Sequence, residues 1–361
     1  MTSPLYITSV DSYVGKSLTA LALGLQLRDQ GYRVGYFKPL GTLPLAVEGV
    51  VTDEDAHFIS QRLNPEAPLD AICPALLTSK LTERALAEGA AELSARIKEA
   101  YARAAADREV MIVGGVGRLS RGSLLGLSAP AVAELLGARA LVLAKSGGEA
   151  AVEEVLLAHR LLGARFAGVI FNFVAPDDEE ALRGPLRRYL EERGIAIFGV
   201  LPADALLSAV SVRELAEHLP AKLLCCEKAL DELILHFVIG AMGVSSAARY
   251  FRQVADKAVI TGGDRADLQL AALQTATKAI VLTGNIYPSP VIVQRAQQVG
   301  IPLLLAPHDT LSTVERIEQL TGRLRVREGA KVERARVLFA QHIDLGAIKA
   351  AIGLAGAPGQ V

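Results

Sequence analysis

Short apolar runs alternate with longer stretches in which leucine and alanine recur at helical spacing, and the alternation holds through about residue 217. Tyr6–Val10, Val34–Phe37, Val110–Val113, Arg139–Ala144, Gly168–Asn172 and Ile195–Leu201 read as strands. Between them, Ser17–Leu27 puts Leu18, Leu21 and Leu25 on one helical face, and Ala90–Ala106 reads as an alanine-rich helix. This order predicts an α/β fold, a parallel sheet with helices on both faces. The charged stretch Asp177–Arg193 reads as one amphipathic helix with a solvated face.

After His218-Leu219-Pro220 the pattern restarts on a smaller scale. Ala221–Leu230 is a linker or a first helix. Strand Ala258–Thr261 precedes helix Ala266–Leu273, Ala279–Thr283 precedes Pro290–Val299, and Ile301–Ala306 precedes Thr313–Leu320. The expected domains are residues 1–218 and 233–352, with a linker at 219–232 and a flexible Gly-, Ala- and Pro-rich tail at 353–361.

Composition narrows the function classes. At 361 residues two domains are expected, and 51% hydrophobic residues allow a large core. A net charge of −1 and the lack of tryptophan argue against nucleic acid as a partner. Arg323-Leu324-Arg325-Val326-Arg327, with Lys331, Arg334 and Arg336, is locally basic, but Glu328 and Glu333 interrupt it and the alternation suits a strand face. Cys73, Cys225 and Cys226 form neither a disulfide framework nor a metal-ligand spacing. The longest apolar runs, such as Leu233–Val244, fall short of a membrane span, and the N-terminus has no basic leader. A cytoplasmic protein without membrane attachment is expected.

Candidate chemistry begins where Leu5-Tyr6-Ile7-Thr8 is followed by Gly15-Lys16-Ser17 at the start of a helix. Gly15 lets the backbone curl toward phosphate without a Cβ in the way. Lys16 supplies a point charge for β/γ oxygens, Ser17 a hydroxyl for Mg²⁺, and the helix N-terminus a partial positive charge. The plainer alternative is a strand–turn–helix with an exposed lysine. Glu109–Val113 should end in an acid that positions Mg²⁺, and it runs instead into Val113-Gly114-Gly115.

The loop Ser9-Val10-Asp11-Ser12-Tyr13-Val14-Gly15-Lys16-Ser17 has Val10 in place of the first glycine of the standard phosphate loop. It resembles the loop of dethiobiotin synthetase, which also has Asp at the place of Asp11. Tyr36-Phe37-Lys38-Pro39-Leu40 adds to the likeness. The resemblance implies ATP or ADP with Mg²⁺ as ligand, held by Asp11, Ser12, Val14, Gly15, Lys16, Ser17 and Lys38. It implies Ser17 and Asp55 as metal ligands and Asn172 as the reader of the adenine edge. Each also admits a plainer role: Asp55 as a helix-start acid, Asn172 as a strand-end cap, Lys38 as a solvated charge. Gly114 stands where that family usually has Glu, and Gly41-Thr42-Leu43-Pro44 departs from its substrate loop. Phosphate binding without efficient turnover is the expectation.

In the second half, Thr261-Gly262-Gly263-Asp264-Arg265, Thr283-Gly284-Asn285 and His308-Asp309-Thr310 each end a strand, where ligands of parallel sheets bind. Gly262, Gly263, Asp264, Arg265, Thr283, Gly284, Asn285 and Asp309 are therefore candidates for a second, small anionic ligand. The plainer alternative has Asp264 and Asp309 capping helices and Arg265 paired with Asp267. These segments resemble the DRTGG domain, with Asn285 in place of its second Thr-Gly-Gly glycine. A P-loop domain followed by DRTGG resembles the N-terminal regulatory region of bacterial phosphotransacetylases, here as a free-standing version. The resemblance implies a P-loop NTPase-type fold plus a smaller α/β DRTGG domain, adenine-nucleotide sensing and a homodimer, with a metabolic enzyme as a further partner. The rival is an ATP-dependent enzyme activating a carboxylate, like dethiobiotin synthetase or cobyrinate a,c-diamide synthase. A third reading is an interaction module with a relict loop.

Overall fold

The computed structural model describes residues 2–12, 14–146, 148–321 and 329–354. The chain forms two compact units, Met1–Asp204 with Leu324–Val361, and Ala205–Arg323.

In the first unit the strands are, in chain order, β1 (Ser3–Ser9), β2 (Val34–Phe37), β3 (Pro44–Val47), β4 (Val50–Asp53), β5 (Val110–Gly114), β6 (Arg139–Lys145), β7 (Phe166–Val174) and β8 (Ile197–Pro202). Six of them make one sheet in the order β2-β5-β1-β6-β7-β8, every pair parallel. Nearly every residue of β1, β2, β5 and β6 is buried, which is why these strands read as continuous apolar runs. Parallel pairing brings Ser9, Phe37, Gly114, Lys145 and the end of β7 to one sheet edge. β3 and β4 form an antiparallel hairpin that leads into α2 (Glu54–Leu63).

The helix after the phosphate loop, α1 (Lys16–Asp29), is buried on almost every side: Leu18, Leu21, Leu23, Leu25 and Leu27 are all in the core. The sheet covers one face, and the helix Gly329–His342 packs against another. Arg336 pairs with Asp29 at 2.7 Å, Lys349 reaches Gln30 at 2.9 Å, and Asp344 N–H donates to Phe198 O. The second compact unit thus ends at Arg323, short of the expected boundary at 352, because the C-terminal helices complete the first unit. The first unit also closes at Asp204 rather than 218. Lys331, Arg334 and Arg336 lie on a helix, not a strand face, with Arg334 paired to Asp204. Residues 323–327, and the tail from 355, lie outside the described residues.

Asp177–Arg193 is two helices, Pro176–Arg183 and Pro185–Glu191, since Pro185 cannot donate the hydrogen bond that would continue the first.

The second unit has a five-stranded sheet in the spatial order Lys222–Leu223, Leu303–Leu305, Thr277–Thr283, Lys257–Gly262, His236–Ile239. All pairs are parallel except the first. The stretch Ala221–Leu230 is neither a plain linker nor a first helix: it supplies the antiparallel edge strand and a 3₁₀ turn at Glu227–Ala229. His236–Ile239 adds a strand on the opposite edge, beyond the three strand–helix repeats expected.

Candidate functional site

The phosphate loop spans the gap between β1 and α1. Gly15 sits at φ +84°, a left-handed conformation that glycine takes without a Cβ penalty, and its carbonyl accepts the first helical bond from Thr19 N–H at 2.9 Å. Lys16 follows as the first helical residue, and its Nζ donates to Ser9 Oγ at 2.9 Å. The Ser9 hydroxyl lies 2.6 Å from Asp11 O and 2.9 Å from Gly117 O, so it ties the loop to the segment after β5. Burial first, then the Lys38 ammonium, push the Lys16 pKa down to about 8, against the opposing pull of Asp11 and Asp55.

Ser17 Oγ donates to Asp55 Oδ2 at 2.7 Å. Asp55 also lies 3.7 Å from Lys38 Nζ, whose main partner is Asp53 Oδ1 at 2.7 Å. Lys38 is buried at the end of β2, which rules out the solvated-charge role. Burial works against its charge, but Asp55 and Asp53 outweigh it and hold the ammonium above its ordinary pKa.

Asp53 is the organising residue of this corner. Its side chain is fully buried and accepts from Lys38, from the backbone N–H groups of Thr42 and Leu43, and, as N-cap of α2, from Ala56 N–H. The cap position aims the first turn of α2, and with it Asp55, at Ser17. The signal was present in the sequence as an aspartate immediately before a helical run.

One hydroxyl and one carboxylate, Ser17 and Asp55, suit Mg²⁺, which keeps several waters and takes its remaining ligands from phosphate oxygens. Among the described residues no group of three or more His, Cys, Asp or Glu side chains gathers into a metal site. At Gly114 the space a side chain would need is already taken. A Cβ on Gly114 would lie 2.1 Å from Tyr36 Oη, so the phenol fills the space. Burial first, then Asp55 and Asp53, push the Tyr36 pKa well above its ordinary value, and the phenol stays neutral.

Asp11 is tied to the segment after β5. Its carboxylate pairs with Arg118 at 2.5 Å and accepts from Ser12 N–H at 3.0 Å. Its pKa is lowered: burial opposes the shift, and the Arg118 hydrogen bond leads the groups that outweigh it. Arg118 had no signal in the sequence, since nothing local marks an ion pair between two loops so far apart. Val14 is buried, and its carbonyl accepts from Asn172 Nδ2 at 3.0 Å, while Asn172 Oδ1 accepts from Phe173 N–H. Asn172 thus braces the loop from the end of β7. Tyr13 lies outside the described residues.

In the second unit, the plainer roles account for two charged candidates. Arg265 pairs with Asp267 at 3.1 Å and reaches Met242 O, and Asp309 accepts from Ser312 N–H and Oγ in the first turn of the helix Thr310–Thr321. The strand ends do converge. Gly263 packs so closely on Ile286 that a Cβ would meet its carbonyl at 1.8 Å, and Gln269 Nε2 bonds the carbonyls of Gly262 and Gly263. Asp264 Oδ1 lies over Gly262, 2.4 Å from where a Cβ would be. Thr283 Oγ1 lies 2.8 Å from Thr310 Oγ1, and Gly284 N–H donates to His308 O. Asn285, at φ +54°, takes the left-handed conformation that asparagine tolerates in place of glycine.

Residues 3–211 match the family described as AAA domain. The chain belongs to that family. Residues 214–320 match the DRTGG domain, so the second unit carries the second half of the expected pairing. The ATP-dependent dethiobiotin synthetase of Anaeromyxobacter dehalogenans is 31% identical over 188 residues, 49% of this chain and 80% of that protein. This places the first unit in one family with the dethiobiotin synthetases. Phosphate acetyltransferase of Synechocystis sp. is 24% identical over 360 residues, covering 95% of this chain and 51% of the relative. The chain therefore spans about half the length of the phosphate acetyltransferases it matches, and across both units. Among solved structures, the CBS and DRTGG domains of the regulatory region of a Clostridium perfringens pyrophosphatase, bound to its activator diadenosine tetraphosphate, align with a TM-score of 0.29. The identity is 18%, covering 43% of this chain and 80% of that one. No helix among the described residues is long and apolar enough to cross a membrane.

Proposed function

We propose that this chain is a nucleotide-binding regulatory protein that holds ATP or ADP with Mg²⁺ on its phosphate loop. The observation that carries the reading is the convergence of Lys16, Ser17, Lys38 and Asp55 at one sheet edge beside a position, Gly114, that has no acid. Two cations and a helix N-terminus attract phosphates, while turnover needs fuller neutralisation of the transition state. Lys16 and Ser17 take the β/γ phosphates and the metal, Asp55 completes the metal's protein ligands, and Asp11, Ser12, Val14 and Asn172 shape the loop around them. The DRTGG unit takes a second small anionic ligand or contacts a partner enzyme, and the protein works in the cytoplasm as a homodimer. Exposed Ile239, Val244 and Tyr250 supply apolar surface for such an assembly.

The likeness to dethiobiotin synthetases favours one rival, an enzyme that activates a carboxylate with ATP. Amidation by a cysteine-dependent glutaminase fits poorly, since burial pushes the Cys73 thiol up to about 12. A thermal-shift panel of ATP, ADP, GTP and diadenosine tetraphosphate, followed by phosphate-release assays with diamino and dicarboxylic acids, separates the two. The regulator is stabilised by adenine nucleotides and releases no phosphate on adding any carboxylate. Carboxylate-dependent release would establish the enzyme instead.

The Lys16 pKa sets the pH dependence. A lysine lowered to about 8 has lost its proton above that value, and bound phosphate favours the charged form. Binding then takes up a proton, and affinity falls as pH rises. Between about pH 7.5 and pH 9 the protonated fraction, and with it the ATP affinity, is expected to fall about eight-fold. Lys16→Arg, whose guanidinium stays charged, should flatten the profile. Titration calorimetry across this range checks both, and a flat wild-type profile would sink the assignment.

A further inference from the structure

We propose that Tyr36 replaces the acidic metal partner of this phosphate site and makes nucleotide binding nearly independent of Mg²⁺. The inference rests on the nucleotide-binding reading above. Tyr36 and Gly114 stand on neighbouring strands: β2 and β5 pair with Tyr36 opposite Ile112, and Gly114 is the next residue of β5 on that same face. A Cβ on Gly114 would meet Tyr36 Oη at 2.1 Å, Cζ at 2.9 Å and Cε2 at 3.4 Å. The clash reaches the ring itself, so loss of the hydroxyl alone does not make room. Tyr36 is 2% exposed, so moving its ring aside would disturb the core packed around it. A tyrosine at 36 and a side chain at 114 compete for the same space.

The exchange changes the charge of the site. In P-loop nucleotidases an acid at a strand end helps hold the metal. Here a neutral phenol stands at that strand end, and Asp53 is committed to Lys38 and three backbone N–H groups. Asp55 is left as the carboxylate within reach of Ser17. One carboxylate fewer means less repulsion of bare phosphates and a weaker hold on the cation. Lys16 and the N-terminus of α1 then meet most of the phosphate charge without metal, with Lys38, already paired to Asp53, in a supporting role. Tyr36 is thus a positioning residue that sets metal demand, not a catalytic one.

The test measures ADP affinity of the full chain by titration calorimetry in Mg²⁺ and in EDTA, for wild type, Tyr36→Phe and Tyr36→Val/Gly114→Glu. In wild type and Tyr36→Phe, removing Mg²⁺ should weaken binding by less than about five-fold, since neither has an acid at 114. In the exchange variant the same removal should cost at least about fifty-fold, as metal must then offset the added charge. Unfolding midpoints give a second reading that needs no nucleotide. Gly114→Ala should lower the wild-type Tm by about 5 °C or more through overpacking, and lower that of Tyr36→Val by less than half as much. A wild-type Mg²⁺ dependence above ten-fold, or equal effects of Gly114→Ala in both backgrounds, overturns the proposal. Absence of ADP binding in every condition overturns the nucleotide reading itself, and the Tm cycle then still decides whether the steric exchange is real.

Discussion

Lys16→Ala is expected to weaken Mg-ATP binding by about 10- to 150-fold while leaving the protein as stable as before or slightly more so. The loss follows from deleting the ammonium proposed to meet the β/γ oxygens. Charge-assisted hydrogen bonds contribute about 1.5–3 kcal/mol, and about 1.4 kcal/mol is a factor of ten in affinity. The unchanged or raised stability follows from the sign of the pKa shift. A lysine whose pKa drops on folding is charged in both states at neutral pH, and the folded state bears the cost of burying it. Its hydrogen bond to the Ser9 hydroxyl offsets only part of that. Opposite effects on affinity and Tm mark a residue kept for binding rather than for folding. Calorimetry and a thermal melt on the same sample decide it. A parallel drop in affinity and Tm would make Lys16 a structural lysine.

The largest stability effect is expected at Asp53. Asp53→Ala should destabilise the first unit by about 3–5 kcal/mol, because it leaves Lys38 charged and buried and removes the cap of α2. Asp55, 3.7 Å from Lys38, offsets part of the loss, which favours the lower end of that range. Urea unfolding followed by far-UV circular dichroism measures it. Asp55→Ala serves as the contrast: it removes the carboxylate proposed to face the metal and spares the cap, so its stability cost should be under about 1 kcal/mol. Equal costs for the two would mean that Asp53 does not organise this corner.

The sheet of the first unit was legible because its strands are buried on both faces and leave unbroken apolar runs. The phosphate loop was legible because Gly15 and Lys16 are required by backbone geometry and charge. What escaped has a common cause, packing between residues distant in the chain. The helix Gly329–His342 carries no local sign that it covers α1; the hint was on α1 itself, apolar around its whole circumference at Leu18, Leu21, Leu23, Leu25 and Leu27. The β3–β4 hairpin is short and mostly half-exposed, so its alternation was too brief to stand out. Gly114 reads in the sequence as a missing acid, but the group that fills its space, the Tyr36 phenol, lies on another strand. In the second unit the strand ends were found, while the pairing of Arg265 with Asp267 was open until the structure showed it.

Titration of the wild-type chain with Mg-ATP, with phosphate release followed in the same samples, bears most directly on the central claim. Saturable binding of one nucleotide per chain is predicted, with release at or below about 10⁻³ per second, the range of a P-loop site that lacks its full set of neutralising groups. Release at ordinary enzymatic rates, or no heat of binding at any concentration, would contradict it.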